Sequence, residues 1–157
     1  MDDASTHPAP APRALVGRRM LALFYDLWPA AALWFLLALL FNVAYTLAGH
    51  AARDNIAPFS ALQWLLWFTC WAATGLYATM SWRRGGQTLG MRPWRLRVLS
   101  EGGGAASWRA LWMRYVFGTL SLLAAGLGFW WAWLDHDHLA WHDRVSGTRL
   151  VRESPAS

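Results

Sequence analysis

Residues 18–48 read RRMLALFYDLWPAAALWFLLALLFNVAYTLA, and this stretch decides the fold. The apolar run at about residues 20–48 is interrupted only by Asp26, Pro29 and Asn42. As a helix, about 29 residues would measure about 43 Å, whereas a bilayer core needs about 20 residues. A secretory signal has a shorter apolar region, of about 7–15 residues. We therefore expect a membrane-spanning helix here rather than a cleaved leader.

Two more apolar runs follow, at about residues 59–82 and 112–134. The third run either crosses the membrane as a straight helix or bends back at Gly126 or Gly128 as a re-entrant hairpin. Irregular backbone at membrane depth is tolerated only where other protein covers it. The sequence thus predicts an all-α membrane protein with three apolar segments, in a single domain over residues 13–152.

The composition excludes several classes of protein. The chain has 157 residues, of which 56% are hydrophobic, 15% are charged and 13 are Trp. A soluble domain carries about 25% charged residues. All 14 basic residues are arginines that flank the apolar runs, so anionic lipid headgroups explain them better than nucleic acid does. No nucleophile, base or cofactor motif stands out, and we expect neither enzymatic activity nor a cofactor.

The loops differ in charge. The basic loop at residues 83–111 has six arginines, whereas residues 49–58 have only Arg53. Arginine-rich loops stay in the cytoplasm. We therefore expect a multi-pass protein of the cell membrane, such as a bacterial inner membrane, with its N-terminus and basic loop in the cytoplasm. Residues 1–12 and 153–157 are expected to be tails, the first of them disordered.

Two short segments outside the apolar runs have β character. Residues 94–100 alternate roughly between apolar and polar side chains, and residues 148–152 form a second β-like stretch. If they pair, both must lie on the inner side of the membrane. That pairing requires the third apolar run to return as a hairpin.

Asp26 is the most informative residue of the first run. A carboxylate at bilayer depth costs several kcal/mol unless it is paired, hydrated or protonated. Pro29 lacks an N–H and leaves a backbone carbonyl free beside Asp26. Asp26 therefore either binds a cation or proton or forms a structural ion pair. Arg19, two helical turns earlier on the same face, is the expected partner, with Arg83 or Arg97 as other donors.

A second polar cluster follows the third run. His136, His138 and His142, among nearby aspartates, could hold a divalent metal, although their spacing matches no known zinc pattern. The other interpretation is a polar segment at the membrane edge. His142 and Asp143 could also handle protons together, because histidine titrates near neutral pH.

Three segments occur in a fixed order: RRMLALFYD at 18–26, GQTLGM at 86–91 and HDRVSGTRLV at 142–151. With the three apolar runs, this order resembles the RDD family of small membrane proteins, which is named for an arginine and two aspartates. By that resemblance the named residues are Arg19, Asp26 and Asp143. The resemblance also marks a loop motif made of Gly86, Gln87, Thr88 and Gly90.

The resemblance implies two functions from different classes. Some members of the family are linked to sodium/proton exchange, which here implies an oligomeric transporter of cations or protons. Asp26 would be its ion-binding carboxylate, and His142 with Asp143 would act at the other end of the ion path. Others look like assembly partners. The alternative is therefore a non-catalytic scaffold in which Arg19, Asp26 and Asp143 form a salt-bridge network. Either way, the expected partners are the bilayer with its anionic headgroups and a second copy or another membrane protein.

The position of Asp143 before a turn suggests an anchoring contact. An aspartate in that position commonly accepts hydrogen bonds from nearby groups. We expect Asp143 to bind Arg19 or an arginine of the basic loop.

Overall fold

The structure is a computed structural model that describes residues 15–51 and 54–153. Its helices and strands, in chain order, are α1 (Val16–Leu47), α2 (Ala61–Gly85), a 3-10 turn (Arg92–Trp94), β1 (Leu96–Ser100), α3 (Trp108–Leu123), α4 (Leu127–Leu134), α5 (Trp141–Ser146) and β2 (Thr148–Arg152). The expected tail at residues 1–12, the charge of Arg53 and the tail beyond Glu153 lie outside the described residues.

Helix α1 contains the first apolar run and exposes most of it. Among the described residues it is the one helix that alone is long and apolar enough to cross a membrane. Its most apolar window has a mean hydropathy of 2.0, and only 6% of that window is buried. Trp28 and Phe35 are 70% and 73% exposed. Exposed apolar surface on this scale suits contact with lipid.

Helix α2 coincides with the second apolar run. It begins after Ser60, whose side chain accepts a hydrogen bond from the N–H of Gln63 at 3.3 Å. It ends at Gly86, where a φ of 70° takes the left-handed conformation that closes many helices. With 25 residues α2 is long enough to span, but it is less apolar than α1. The structure thus has one clear apolar span among the described residues.

The third apolar run is not a straight helix. Helices α3 and α4 are bent by 99° to each other. Between them, Ala125 and Gly126 have φ values of 53° and 76°, and the N–H of Gly126 donates to the carbonyl of Ser121 at 2.7 Å. Two successive left-handed residues cannot continue a right-handed helix. The straight interpretation of residues 112–134 is therefore wrong, and the bent arrangement places α5 back against α3.

The two β-like segments form the expected pair. Strands β1 and β2 are antiparallel, with Leu96 opposite Arg152 and Ser100 opposite Thr148. Strand β1 begins two residues later than predicted, because Arg92–Trp94 forms the 3-10 turn. The pairing holds the C-terminal segment beside the loop that follows α2.

The main apolar core lies where this β pair meets the helices. Leu96, Val98 and Leu111 are at most 2% exposed and form one cluster with Ala22 and Met91. The cluster therefore joins the second turn of α1 and the first turn of α3 to the loop and to the β pair. Above it, α2 packs against α1 and α3.

Gly75 on α2 packs closely against α3. A Cβ at this position would lie 2.6 Å from Cε1 of Tyr115 and 2.7 Å from Cζ3 of Trp112. We expect Gly75→Ala to lower the free energy of unfolding by about 1–3 kcal/mol through overpacking. Thermal unfolding in detergent measures this change.

Gly118→Ala is the matched control, because a Cβ on Gly118 meets nothing within 4 Å. Both substitutions replace a helical glycine by alanine, which by itself favours the helix by about 1 kcal/mol. Equal melting temperatures for the two variants would contradict close packing of α2 on α3.

Candidate functional site

Asp143 lies at the centre of a buried ionic cluster. It belongs to α5, is 0% exposed, and accepts hydrogen bonds from two arginines of distant helices. Its Oδ2 accepts from Nη1 of Arg19 at 2.5 Å and from the N–H of Ala140 at 3.1 Å, while its Oδ1 accepts from Nη1 of Arg114. The expected contact between Asp143 and Arg19 is therefore present. Arg114, on α3, joins it from the other side.

Arg114 is held in place by more than Asp143. It also donates to Oγ1 of Thr148 at 2.9 Å, and its guanidinium lies 5.4 Å from the ring centre of Trp82. A signal for this role is present in the sequence, because Arg114 falls within the third apolar run, where a charged side chain generally needs a partner. The partner itself could not be inferred before α5 was known to pack against α3.

The cluster carries more positive than negative charge. Burial alone raises the pKa of Asp143, but Arg114 and Arg19 outweigh that effect and lower it, so Asp143 is a carboxylate at neutral pH. Burial and the guanidinium of Arg114 lower the pKa of His142 to about 3, so its imidazole is neutral. Two guanidinium groups therefore face one carboxylate. His142 packs on Phe129, with ring centres 4.6 Å apart.

Asp26 occupies a different site, and its predicted ion pair was wrong. Within the part of the chain that the structure describes, no arginine lies within salt-bridge distance of Asp26. The expected donors are engaged elsewhere: Arg19 binds Asp143, Arg83 donates to the carbonyl of Ala106 at 3.0 Å, and Arg97 pairs with Glu153 at 2.6 Å.

Neutral donors bind Asp26 instead. Its Oδ1 accepts from the hydroxyl of Tyr77 at 3.2 Å and from the N–H of Gly90 at 2.9 Å, and its Oδ2 accepts from the hydroxyl of Thr88. Gly90 comes so close to α1 that a Cβ would lie 2.3 Å from the carbonyl oxygen of Ala22. The loop motif thus holds the segment after α2 against α1, a contact that the sequence did not indicate.

The other two motif residues do not touch Asp26. Gly86 ends α2, as described above, and its carbonyl accepts from the N–H of Val98 at 2.8 Å. Gln87 lines a pocket together with Arg84 and Arg92. The motif therefore divides into a helix end and a contact with α1.

The predicted metal site at the histidines was wrong. Among residues 15–51 and 54–153, no three His, Cys, Asp or Glu side chains are placed to hold a metal ion. His142 is buried against Phe129, His136 is exposed, and Nδ1 of His138 lies 3.2 Å from the carbonyl oxygen of Ala132. The nearby aspartates bind Arg144 rather than histidine. This segment fits the other interpretation, a polar edge.

A cavity of about 370 Å³ connects the two sites. It lies among α1, α2, α3 and the segment that contains α4 and α5. Six polar residues of the sites described above line it: Arg19, Asp26, Tyr77, Thr88, Arg114 and His142. Most of the other lining side chains are apolar or aromatic, among them Leu27, Trp34, Trp71, Leu122 and Phe129. We refer to it below as the helix cavity.

The described geometry agrees with a comparison to known families. The model of the RDD family matches residues 13–147. The chain belongs to the RDD family. No curated protein and no solved structure matches the chain significantly. In this RDD protein the arginine and the two aspartates of the family name do not form one network: Arg19 and Asp143 bind each other, and Asp26 is bound separately.

The buried cluster makes stability depend on Asp143. Replacing Asp143 by Asn leaves two buried guanidinium groups without a counter-charge, and breaking a buried pair costs about 3–5 kcal/mol. We therefore expect Asp143→Asn to lower the melting temperature in detergent strongly, or to prevent accumulation of folded protein.

Glu153→Gln is the control for Asp143→Asn, because it removes the exposed pair with Arg97. An exposed ion pair contributes at most about 1 kcal/mol. Similar decreases in melting temperature for the two variants would show that the buried cluster stabilises the protein no more than an exposed ion pair does.

His142 makes the protein sensitive to acid. Burial and the guanidinium of Arg114 lower its pKa in the folded state to about 3, below the ordinary histidine value of 6.5, so the unfolded chain binds the proton more readily. The free energy of unfolding should therefore fall below about pH 6.5, by up to about 1.4 kcal/mol per pH unit.

Melting temperatures measured from about pH 7.5 to about pH 5.5 test this dependence above the range in which carboxylates titrate. His142→Gln should flatten the dependence, whereas His136→Gln, an exposed histidine, should preserve it. An unchanged slope in His142→Gln would contradict the assignment.

Proposed function

We propose that this RDD protein is a multi-pass membrane protein that binds and exchanges a proton or small cation at Asp26. The observation that carries the proposal is that Asp26 lines the helix cavity and, among the described residues, is bound only by neutral donors. A carboxylate paired with arginine has little tendency to take up a proton or cation, because its charge is already compensated. Asp26 lacks that compensation within the described residues.

The neighbours of Asp26 suit such an exchange. The hydroxyl groups of Tyr77 and Thr88 donate to Asp26 and can rotate to accept instead. Together with the carboxylate they offer the oxygen ligands that small hard cations prefer. The N–H of Gly90 keeps one carboxylate oxygen in place while the other exchanges its ligand.

The membrane arrangement that we propose has three segments. Helix α1 crosses, α2 crosses with about 37 Å of helix, and the bent pair of α3 and α4 enters and returns on the same side. The arginine difference between the loops puts the N-terminus and residues 83–111 in the cytoplasm. Pairing of β1 with β2 then requires the C-terminal segment to be in the cytoplasm too.

Three segments provide too little protein to enclose an aqueous path. The proposed transporter is therefore a homo-oligomer in the cell membrane, with lipid around it. Exposed aromatic side chains on α2, among them Trp64, Trp67 and Phe68, are available to contact either lipid or a second copy.

A second candidate function is a membrane scaffold or assembly partner. It is favoured by the buried cluster of Arg19, Asp143 and Arg114, which ties three helices together through a carboxylate paired with two guanidinium groups. In this case Asp26 is a tether that holds the loop at Thr88 and Gly90 on α1.

Asp26→Asn separates the two functions because it keeps the shape of the side chain and removes its charge. For a transporter we expect loss of proton or sodium flux in proteoliposomes, with folded protein still recovered. Asp137→Asn, an exposed carboxylate, is the control and should preserve flux. Flux that persists in Asp26→Asn, or absent flux in the unaltered protein, would favour the scaffold.

The proposed topology predicts where the C-terminus lies. A fluorescent protein that folds only in the cytoplasm should emit light when fused after residue 157, and alkaline phosphatase at the same place should stay inactive. The opposite pattern would be incompatible with the return of the third segment.

A further inference from the structure

We propose that the helix cavity binds one single-chain anionic amphiphile, with its carboxylate or phosphate headgroup against Arg19 and His142 and its acyl chain along the apolar wall. The site shares the helix cavity with Asp26, but the proposal does not depend on ion exchange at Asp26.

The first argument is charge. Arg19, Arg114 and Asp143 are all at least nine-tenths buried, and together they carry one positive charge in excess. His142 does not change this sum, because its imidazole is neutral. A buried charge without a counter-charge is costly, so an anion at this end of the cavity stabilises the cluster.

The second argument is hydrogen bonding. Among the described residues, Nε of Arg19 and Nδ1 of His142 are buried and have no hydrogen-bond partner. Both side chains are 4% exposed, and both line the helix cavity. Buried polar atoms are almost always satisfied in native proteins. A carboxylate or phosphate oxygen accepts the N–H of Arg19, and either headgroup is bound more strongly by a guanidinium than by a neutral donor.

The third argument is the shape and lining of the cavity. Its volume of about 370 Å³ is within the range of small-molecule sites, about 300–1,000 Å³. Leu23, Leu27, Trp34, Leu122 and Phe129 form an apolar wall suited to an acyl chain. A free inorganic anion would leave that wall without a contact, so the chemistry fits an amphiphile.

Asp26 also lines the cavity and sets the orientation of the ligand. It lies seven residues beyond Arg19 on α1, about 10 Å along the helix axis. An anionic headgroup is repelled from that position and attracted to the arginine end. A cationic amphiphile would bind in the reverse direction, which gives the test a clear alternative.

Photolabelling tests the proposal on the full chain in detergent. The probe is a diazirine-bearing analogue of laurate, with the labelled peptides mapped by mass spectrometry. We expect labelling of peptides from α1, α2 and α3 that line the cavity, with competition by laurate and by dodecyl phosphate. The stronger of these two competitors tells whether a fatty acid or a phospholipid headgroup fits better. Inorganic phosphate and dodecyltrimethylammonium should not compete.

A matched pair of variants tests the location. Gly118 lines the cavity and Gly17 does not, and a Cβ at either position meets nothing within 4 Å. Gly118→Leu fills cavity space and should reduce labelling by about tenfold or more, whereas Gly17→Leu should leave it unchanged. If Gly118→Leu does not fold, Gly118→Ala replaces it, with a smaller reduction expected.

Three results would overturn the proposal: competition by dodecyltrimethylammonium equal to that of laurate, labelling spread over the outer face of the helices, or equal labelling in the Gly118 and Gly17 variants. Asp26→Asn separates this site from the proposed function. Loss of ion flux with labelling intact would leave both proposals standing, whereas intact flux with labelling present would remove only ion exchange at Asp26.

Discussion

The ion cluster around Asp143 is the constraint on which the rest of the structure depends. One carboxylate accepts from Arg19 on α1 and from Arg114 on α3, and its own backbone belongs to α5. Neither guanidinium could be buried without it, because an isolated buried charge costs several kcal/mol. The bend between α3 and α4 is what allows α5 to reach both arginines. Thr148, which begins β2, accepts from Arg114, so the β pair is attached to the same cluster.

The two aspartates of the family name differ in the kind of donor that binds them. Asp143 is enclosed by charges and has a pKa below its usual range, so it keeps its negative charge under ordinary conditions. Asp26 is bound by two hydroxyl groups and a backbone amide and lines a cavity. The cluster of Asp143 is therefore suited to holding helices together, and the surroundings of Asp26 are suited to a ligand that comes and goes. The two aspartates of the family name therefore have different physical surroundings.

Hydropathy and charge predicted the helices and the β pair, whereas most contacts between residues distant in sequence could not be predicted. The apolar runs located α1 and α2, and residue alternation located the β pair. The contact between Asp143 and Arg19 followed from the turn after Asp143. The pairing of Asp26 with Arg19 was wrong. Spacing on one helix shows that the two side chains could meet, but it does not show that Arg19 binds Asp143 instead.

The sequence could not decide whether the third run breaks at Ala125 and Gly126, because small residues occur both at close helix contacts and in turns. The contact of Thr88 and Gly90 with Asp26 spans more than sixty residues of sequence, and periodicity carries no information about it.

The separation of Arg19 and Asp143 in the sequence has a consequence for biosynthesis. The two residues are 124 positions apart, and the aspartate is close to the end of the described chain. A ribosome adds about 5–20 residues per second. Arg19 is therefore made several seconds before its counter-charge exists, and Arg114 is made before it as well. During that interval the nascent chain must keep Arg19 at the lipid headgroups or in water. The cluster can form only after Asp143 has been made, and a chain that stops before this residue leaves Arg19 and Arg114 without their shared counter-charge.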